Sequence, residues 1–336
     1  MEEKKINLSE NIDEQGNVLF LDEERLARKN VGFPEYKNPK KGLGILDYLK
    51  ENVLAMNDKH WPLALKLYHF FIRYSGWMKK GGLKAYLYKK MIMLHPDKET
   101  HTSTIVMPLN VDVTDKGEKV VLPIDLIKES LKHVDYIVGM NTCLCREANE
   151  CKDYPVDVAC LFLGEAAKTV EKNGLGRRFT YEEACARVDQ AAENGLVGQA
   201  VWIEVEQFLW GVRNDLMDHF LEICFCCPCC CIAMKLARNA TEKERHRFQP
   251  AGWTAVPDRT KCVGCRLCNS GEHGCPVEAI SFGEDGKVVI NQEICVGCGI
   301  CKAKCKKDVI GIKQTMPMRD DLTDYFRESY NLDIKL

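Results

Sequence analysis

Thiol groups are the side chains of this sequence best suited to do chemistry. Nineteen of the 336 residues are cysteine, and six of them fall within one eight-residue stretch, CFCCPCCC, from Cys224 to Cys231. A deprotonated thiol is a nucleophile, a redox group and a ligand for soft metal ions. The odd cysteine count and the polar N-terminal sequence MEEKKINLSENIDE, which reads as no export signal, argue against a disulfide framework. Metal or metal-cluster ligation therefore accounts best for the set.

The cysteines form two groups along the chain. Eleven lie from Cys143 to Cys231, and eight lie from Cys262 to Cys305. The second group is an internal repeat, because C-V-G-C-x-x-C begins at Cys262 and again at Cys295, 33 residues later. Such a tight loop turns three thiolates and several backbone amides toward one cluster, and a fourth ligand comes from elsewhere. Paired C-x-x-C motifs also bind zinc, but the doubled three-cysteine pattern favours iron–sulfur clusters.

The repeat resembles bacterial-type two-[4Fe-4S] ferredoxins over about residues 253–314. In that family each cluster takes its fourth ligand from the opposite half of the repeat. The resemblance therefore assigns one cluster to Cys262, Cys265, Cys268 and Cys305, and the other to Cys275, Cys295, Cys298 and Cys301. Two features depart from the family: Lys306 replaces the usual proline, and nine Lys/Arg face seven Asp/Glu between Asp258 and Lys313. Because many free ferredoxins are strongly acidic, this composition favours a tethered relay.

The first group of cysteines is predicted to hold an upstream cluster or clusters. The predicted ligands are Cys143, Cys145, Cys151, Cys160, Cys224, Cys226, Cys227, Cys229, Cys230 and Cys231. Neighbours such as Cys226 and Cys227 point in different directions, and Pro228 redirects the second half of the run. The six thiols of the run therefore serve either two clusters or the two ends of one larger, non-cubane cluster. Cys185 is predicted to be a small buried hydrophobe, and Arg146 either neutralises a negative cluster or is solvated.

The order of motifs over about residues 120–314 resembles a family of uncharacterised 4Fe-4S dicluster-containing proteins of anaerobes. The shared motifs are T-C-x-C-R at Thr142–Arg146, C-L-x-x-G at Cys160–Gly164, R-x-[ST]-x-E-E-A at Arg178–Ala184 and I-C-x-C-C-x-C-C-C at Ile223–Cys231. Relatives often read G-L-V-H where this chain has Gly195–Gly198, so no role of that histidine carries over. The resemblance implies one or two further iron–sulfur clusters, cubane or non-cubane, and no particular reaction.

The predicted fold class is α+β, with a mainly helical cysteine-rich domain followed by a ferredoxin-like two-cluster βαβ-βαβ module. Helices are predicted from Pro123 to about His133, from Asp157 to Lys172, and from a Thr180–Glu183 capping box to Gly195. The predicted units are a loosely structured lead-in (1–60), a basic amphipathic helical segment and connector (61–119), the cysteine-rich iron–sulfur domain (120–231), a linker helix (232–256), the two-[4Fe-4S] ferredoxin domain (257–314) and a charged tail (315–336).

The segment from Trp61 to Leu94 carries seven Lys/Arg and no Asp/Glu. Its basic residues recur at helical spacing opposite a broad apolar face. Two interpretations remain open. The segment contacts a membrane surface or an acidic partner, or it forms a core-facing helix pair with a solvated basic rim, broken at Gly81-Gly82.

Other function classes find little support in the sequence. The net charge of -2 indicates no nucleic-acid partner, and no nicotinamide, flavin or nucleotide motif occurs. We therefore predict an iron–sulfur electron-transfer protein of an anaerobe, cytoplasmic or peripheral at the membrane. It would relay single electrons between the ferredoxin-type pair and the upstream site to a partner oxidoreductase. The alternatives are a reductase whose catalytic site is the upstream cluster, and an iron–sulfur sensor or assembly scaffold.

Overall fold

The computed structural model describes residues 45–93, 102–109, 123–271, 274–316, 319 and 321–336. Its centre is a seven-stranded sheet in the order β4-β2-β3-β6-β5-β1-β7, with the strands β1 Thr102–Pro108, β2 Ile137–Met140, β3 Leu161–Leu163, β4 Gly176–Arg178, β5 Val197–Ile203, β6 Leu221–Cys226 and β7 Phe248–Pro250. Neighbouring strands are antiparallel except β1 and β7. The α+β prediction agrees with this mixture, but the description of the cysteine-rich domain as mainly helical missed the sheet.

Strands β5 and β6, in the middle of the sheet, position two of the six cysteines of the run, Cys224 and Cys226. In their register Gln199 pairs with Cys224, and Val201 pairs with Glu222. The β-branched and aromatic residues of both strands favour extended structure, and both strands are almost wholly buried. Since side chains alternate between the faces of a strand, Glu222, Cys224 and Cys226 project from the same face of β6.

The α-helices of the described residues are α1 Ile45–Leu49, α2 Trp61–Arg73, α3 Gly82–Met93, α4 Pro123–Leu131, α5 Leu144–Ala148, α6 Lys168–Lys172, α7 Tyr181–Glu193, α8 Glu206–Leu209, α9 Ile232–Asn239, α10 Glu242–Arg245, α11 Ile300–Lys304 and α12 Leu322–Tyr330. The capping box predicted for α7 is confirmed. The Glu183 amide donates to Thr180 Oγ1 at 3.2 Å, and the Thr180 amide donates to the Glu183 carboxylate at 2.9 Å.

The helix predicted from Asp157 to Lys172 is wrong over most of its length. Its apolar centre is strand β3, wholly buried between β2 and β6, and only α6 at its end is α-helical. Gly164 follows the strand with φ +88, and a Cβ there would lie 2.4 Å from the His219 carbonyl oxygen. A short apolar run bounded by such a glycine suits a buried strand as well as a helix, so periodicity could not separate them.

Residues 61–93 form two helices, α2 and α3, separated by a 3-10 turn and by Gly81 with φ +66. The predicted break at Gly81-Gly82 is therefore confirmed. The apolar face is only partly covered, because Leu63 is 61% exposed and Leu83 is 72% exposed while Ala64 is buried. Residue 94 lies outside the described residues, as do residues 1–44 of the predicted lead-in and residues 94–101 and 110–119 of the connector.

The ferredoxin-like region contains two small antiparallel sheets. Strand β9 Ile280–Phe282 pairs with β10 Val288–Ile290, and β8 Trp253–Pro257 pairs with β11 Ile310–Gln314. Within the range of the predicted linker helix, 232–256, the α-helical residues are those of α9 and α10. The remainder of 232–256 enters two sheets, because β7 extends the large sheet and β8 pairs with the strand at the far end of the cysteine repeat.

The predicted charged tail is a docked helix over much of its length. In α12, Leu322, Phe326 and Tyr330 are wholly buried, and the Tyr330 hydroxyl donates to the Thr104 carbonyl oxygen of β1 at 3.0 Å. The Leu322 amide donates to Ser130 Oγ of α4 at 3.2 Å. Apolar residues at helical spacing among the charges form this buried stripe. The chain therefore returns to the large sheet after passing through the ferredoxin-like region.

Candidate metal centres

A cavity of about 70 Å³ lies against the β6 face that carries the cysteines. Seven of the ten predicted upstream ligands line it: Cys143, Cys145, Cys160, Cys224, Cys226, Cys227 and Cys231. They come from three separate parts of the chain, namely the start of α5, the residue preceding β3, and the end of β6 with the turn that follows. The sheet therefore brings together the two cysteine stretches that supply the predicted upstream ligands.

The thiols around this cavity are close to one another and mostly buried. The sulfurs of Cys226 and Cys231 lie 3.1 Å apart, and those of Cys160 and Cys224 lie 3.5 Å apart. Burial raises the pKa of the Cys143 thiol to about 11 and raises that of Cys145 well above its usual range. Buried thiolates need positive charge nearby, and a bound metal supplies it by displacing the thiol protons.

Arg146 provides one fixed cation at this cavity. It is 1% exposed, and its guanidinium donates to the carbonyl oxygens of Phe225, at 2.7 Å, and Val158. Burial acts to lower its pKa, but the neighbouring thiols, Cys143 foremost, raise it above the usual value. The Nε atom has no hydrogen-bond partner among the described residues. The solvated alternative for Arg146 is therefore wrong, and the side chain fits the neutralisation of a negatively charged centre.

Three oxygen-bearing side chains on the cavity wall were not predicted from the sequence: Tyr68, Glu206 and Glu222. Glu222 Oε1 accepts a hydrogen bond from the Cys224 thiol at 3.0 Å. Burial and the neighbouring Glu222 carboxyl raise the pKa of Glu206 well above its usual range. The available signal was the position of Glu222, two residues before Cys224 on the same strand face. Tyr68 and Glu206 come from distant helices and gave no local signal.

The remaining three predicted upstream ligands lie beside the cavity. Cys151, Cys229 and Cys230 form a compact group with Cys227, and the four sulfurs all lie within 4.8 Å of one another. Cys185 does not line the cavity. It is only half-buried on α7, so its prediction as a buried hydrophobe holds in part. A side chain at Gly198, where relatives often have histidine, would meet Leu109 and Ile127 on the α4 side of the sheet.

A second, smaller cavity, of about 20 Å³, lies in the ferredoxin-like region. All four cysteines that the resemblance assigns to the second cluster line it: Cys275, Cys295, Cys298 and Cys301. Burial raises the pKa of the Cys301 thiol well above its usual range, and the nearby Cys298 raises it further. The Ala279 amide donates to Cys275 Sγ at 3.3 Å, a contact that favours the thiolate form. This set of donors fits a [4Fe-4S] cluster.

The other quartet of the repeat also converges. Burial raises the pKa of Cys268 to about 11, and Cys305, Cys262 and Cys265 lie close enough to contribute to the shift, in that order. The Val288 amide donates to Cys262 Sγ at 3.4 Å. Cys305 thus lies with the cysteines of the opposite half, in the exchanged arrangement that the resemblance implies. Cys265 is exposed, which leaves this quartet more open to solvent than the other. The assignment of these residues as cluster ligands stays a prediction.

Comparisons with known proteins find a partial similarity to a reductase subunit. The chain is 44% identical over 103 residues to one of the subunits of tetrathionate reductase from Archaeoglobus fulgidus. The similar stretch covers 29% of this chain and 49% of that protein, so the chain spans about half the length of this curated relative. No protein-family model matches the chain, and no solved structure matches it significantly. The cysteine centres and this partial similarity together support an iron–sulfur protein.

The described helices are short relative to a bilayer. The longest of them, α2 and α7, have 13 residues each. None of the helices within the described ranges is both long enough and apolar enough to cross a membrane.

Proposed function

We propose that this chain is an iron–sulfur electron-transfer protein that serves a partner oxidoreductase. The observation that carries the proposal is the presence in one chain of two cysteine-lined cavities, with four and seven thiols. Partial similarity to a component of tetrathionate reductase supports a role inside a multi-subunit redox enzyme. The proposed partner is therefore a redox protein, and its substrate stays open.

In this proposal the ferredoxin-like region holds two [4Fe-4S] clusters and the larger cavity holds a further iron–sulfur cluster. Each such cluster accepts and releases single electrons when bound. The protein's own residues would set the conditions of transfer: amides donate to the thiolates, Arg146 balances negative charge, and the apolar walls exclude water. Hydrogen bonds to sulfur, net charge and solvent exposure are the factors that tune cluster potentials.

The first test is the iron and acid-labile sulfide content of the anaerobically purified full chain. We expect at least about twelve irons per chain, because two [4Fe-4S] clusters account for about eight. A Cys298→Ser variant should lose about four irons of the ferredoxin pair, whereas Cys226→Ser should lose only upstream iron. A full chain holding about eight irons would leave no upstream cluster and would end the relay proposal.

A second candidate function is a reductase whose catalytic site is the upstream cluster. The observation that favours it is the group of two buried carboxyls, Glu206 and Glu222, with the partly buried Tyr68 on the cavity wall, because reductions consume protons as well as electrons. The two functions predict different pH behaviour of the upstream cluster. A midpoint potential that falls as pH rises, and loses this dependence in Glu206→Gln, would favour the reductase. A potential independent of pH would favour the relay.

Contact through the segment 61–94 also belongs to the proposal. The helices α2 and α3 leave several large apolar side chains uncovered: Leu63, Leu67, Phe70, Leu83, Tyr86, Leu87 and Met91. Together with the basic residues around them, they support contact with a partner protein or a membrane surface. Co-sedimentation of the full chain with anionic vesicles tests the membrane alternative, and uncharged vesicles provide the control. Cytoplasmic location stays a prediction.

A further inference from the structure

We infer that Cys151, Cys227, Cys229 and Cys230 bind a single divalent metal ion, separately from the iron–sulfur cluster proposed for the neighbouring cavity. The four sulfurs all lie within 4.8 Å of one another. The Cys151 and Cys229 sulfurs are 3.8 Å apart, and those of Cys229 and Cys230 are 3.5 Å apart. The proposed site is distinct from the proposed electron relay, and Cys227, which also lines the larger cavity, is the one cysteine that the two regions share.

The distances between the sulfur atoms distinguish a single-ion site from an iron–sulfur cluster site. A tetrahedral ion with metal–sulfur bonds of about 2.3 Å places its four sulfurs about 3.8 Å apart. A cubane binds each thiolate to a different iron, so its ligands lie farther apart than those of a single ion. In the described parts of the chain, no three ferredoxin-like cysteines have their sulfurs within 4.8 Å of one another. This spacing sets the site apart from the ferredoxin-like quartets. In the neighbouring cavity only pairs of sulfurs lie as close, Cys226 with Cys231 at 3.1 Å and Cys160 with Cys224 at 3.5 Å, and no third cysteine of the described residues joins either pair within 4.8 Å.

The local backbone also suits a mononuclear site. Cys227 and Cys230 form a C-x-x-C pair across a turn, and the Cys230 amide donates to Cys227 Sγ at 3.3 Å. Such amide contacts stabilise a metal-bound thiolate. Cys151 is brought in by a separate loop, in which Glu150 has φ 48 and the Cys151 amide donates to the Arg146 carbonyl oxygen at 2.9 Å. C-x-x-C spacing with ligands from a second segment is typical of structural tetrathiolate sites.

This assignment divides the cysteine run between two centres. Cys224 and Cys226 project from strand β6 toward the cavity, and Cys231 returns to it beside Cys226. The intervening turn directs Cys227, Cys229 and Cys230 toward Cys151. Four soft thiolates in tetrahedral array select zinc or ferrous iron among common divalent ions. A metal there would tie the Cys151 loop to the end of the central strand.

The test compares the Cys151→Ser/Cys229→Ser double variant with full-length protein, both purified anaerobically. Iron, zinc and acid-labile sulfide are counted per chain. We expect the variant to lose about one metal ion and no sulfide, because a mononuclear site contains no inorganic sulfur. Cys185→Ser is the matched control, since its thiol lies outside both centres, and it should change none of the three counts.

The counts of iron, zinc and sulfide also identify the bound ion and show which results would contradict the inference. Loss of one zinc indicates a structural ion, and loss of one iron without sulfide indicates a mononuclear redox site; either result supports the inference. Loss of about four irons with about four sulfides would make these cysteines cluster ligands and overturn it. Unchanged counts would overturn it as well. If the full chain holds about eight irons yet the variant still loses one zinc, the relay fails while this inference stands.

Discussion

The ferredoxin-like region and the upstream region use the same ligand, cysteine, but assemble it differently. In the ferredoxin-like region, three cysteines of each quartet come from one short loop, and the sheets beside them have only two strands. Upstream, the cysteines come from three separated stretches that a seven-stranded sheet brings together, and Arg146, Glu206 and Glu222 are buried with them. In the ferredoxin-like region, a short loop is enough to arrange three ligands, so little surrounding structure is required. The upstream site depends on the fold of the whole domain, and that fold also places ionisable side chains beside the thiols.

The largest effect is expected for a glycine substitution in the ferredoxin-like repeat, where the two halves of the repeat can be compared. Gly297 and Gly264 occupy the same position of the two C-V-G-C loops, with φ +68 and φ +70. A Cβ at Gly297 would lie 1.9 Å from the Trp253 carbonyl oxygen, whereas one at Gly264 would lie 3.0 Å from that of Gly286. We expect Gly297→Ala to lose about four irons, because the clash adds to the left-handed strain of about 1–2 kcal/mol common to both sites.

Iron content and thermal midpoint, measured anaerobically on Gly297→Ala and Gly264→Ala, check this prediction. The second variant should keep its iron and show only a lowered midpoint. If the two variants lost equal amounts of iron, backbone strain at the glycine, rather than the clash with β8, would be the cause of the loss.

The next effect concerns the buried cation upstream. Arg146→Met removes the donors to the Phe225 and Val158 carbonyl oxygens and the positive charge beside the thiols. We expect the free energy of unfolding to fall by about 3–5 kcal/mol, with loss of the upstream metal and retention of the ferredoxin-type iron. Anaerobic urea unfolding with metal analysis measures both. Arg213→Met, at a side chain 46% exposed, is the control and should cost less than about 1 kcal/mol. Loss of ferredoxin-type iron in Arg146→Met would contradict the independence of the two regions.

The smallest effect lies at the contact between the regions. Glu278 accepts ion pairs from Arg238 at 2.6 Å and from Lys79 at 3.1 Å, and all three side chains are more than 40% exposed. Burial acts to raise the pKa of Glu278, but the two cations hold it below its usual range. A carboxyl with a lowered pKa stabilises the fold above its unfolded pKa, and that contribution is lost as pH falls.

Glu278→Gln should therefore cost less than about 1 kcal/mol at neutral pH. The difference from the unchanged protein should disappear when unfolding is measured at acidic pH or at high salt. A large, salt-independent loss would show that this contact holds the two regions together.

Sequence reasoning succeeded where structure is local. The Thr180–Glu183 capping box and the break at Gly81 depend on a few neighbouring residues, and both are present. Sequence reasoning failed where tertiary contacts determine the local structure. Leu161–Leu163 carries no alternation that marks a strand, and it becomes one because β2 and β6 lie on either side. For the site, cysteine identity indicated metal, but the division of CFCCPCCC between two centres depends on the turn after β6 and on a loop more than 70 residues away.

The pairing of β8 with β11 brings together the two ends of the segment that lies between them. Pro257 and Ile310 face each other in that register, which places their Cα atoms about 5 Å apart. The intervening residues are thus a cassette inserted into the host fold, with entry and exit side by side, and α12 completes the host afterwards. A tight turn that joins β8 directly to β11 would remove the cassette and leave the two strands as a β-hairpin. Truncation before Trp253 would remove α12 from the host fold as well. The topology therefore permits this cysteine-rich cassette to be exchanged for another segment at the junction.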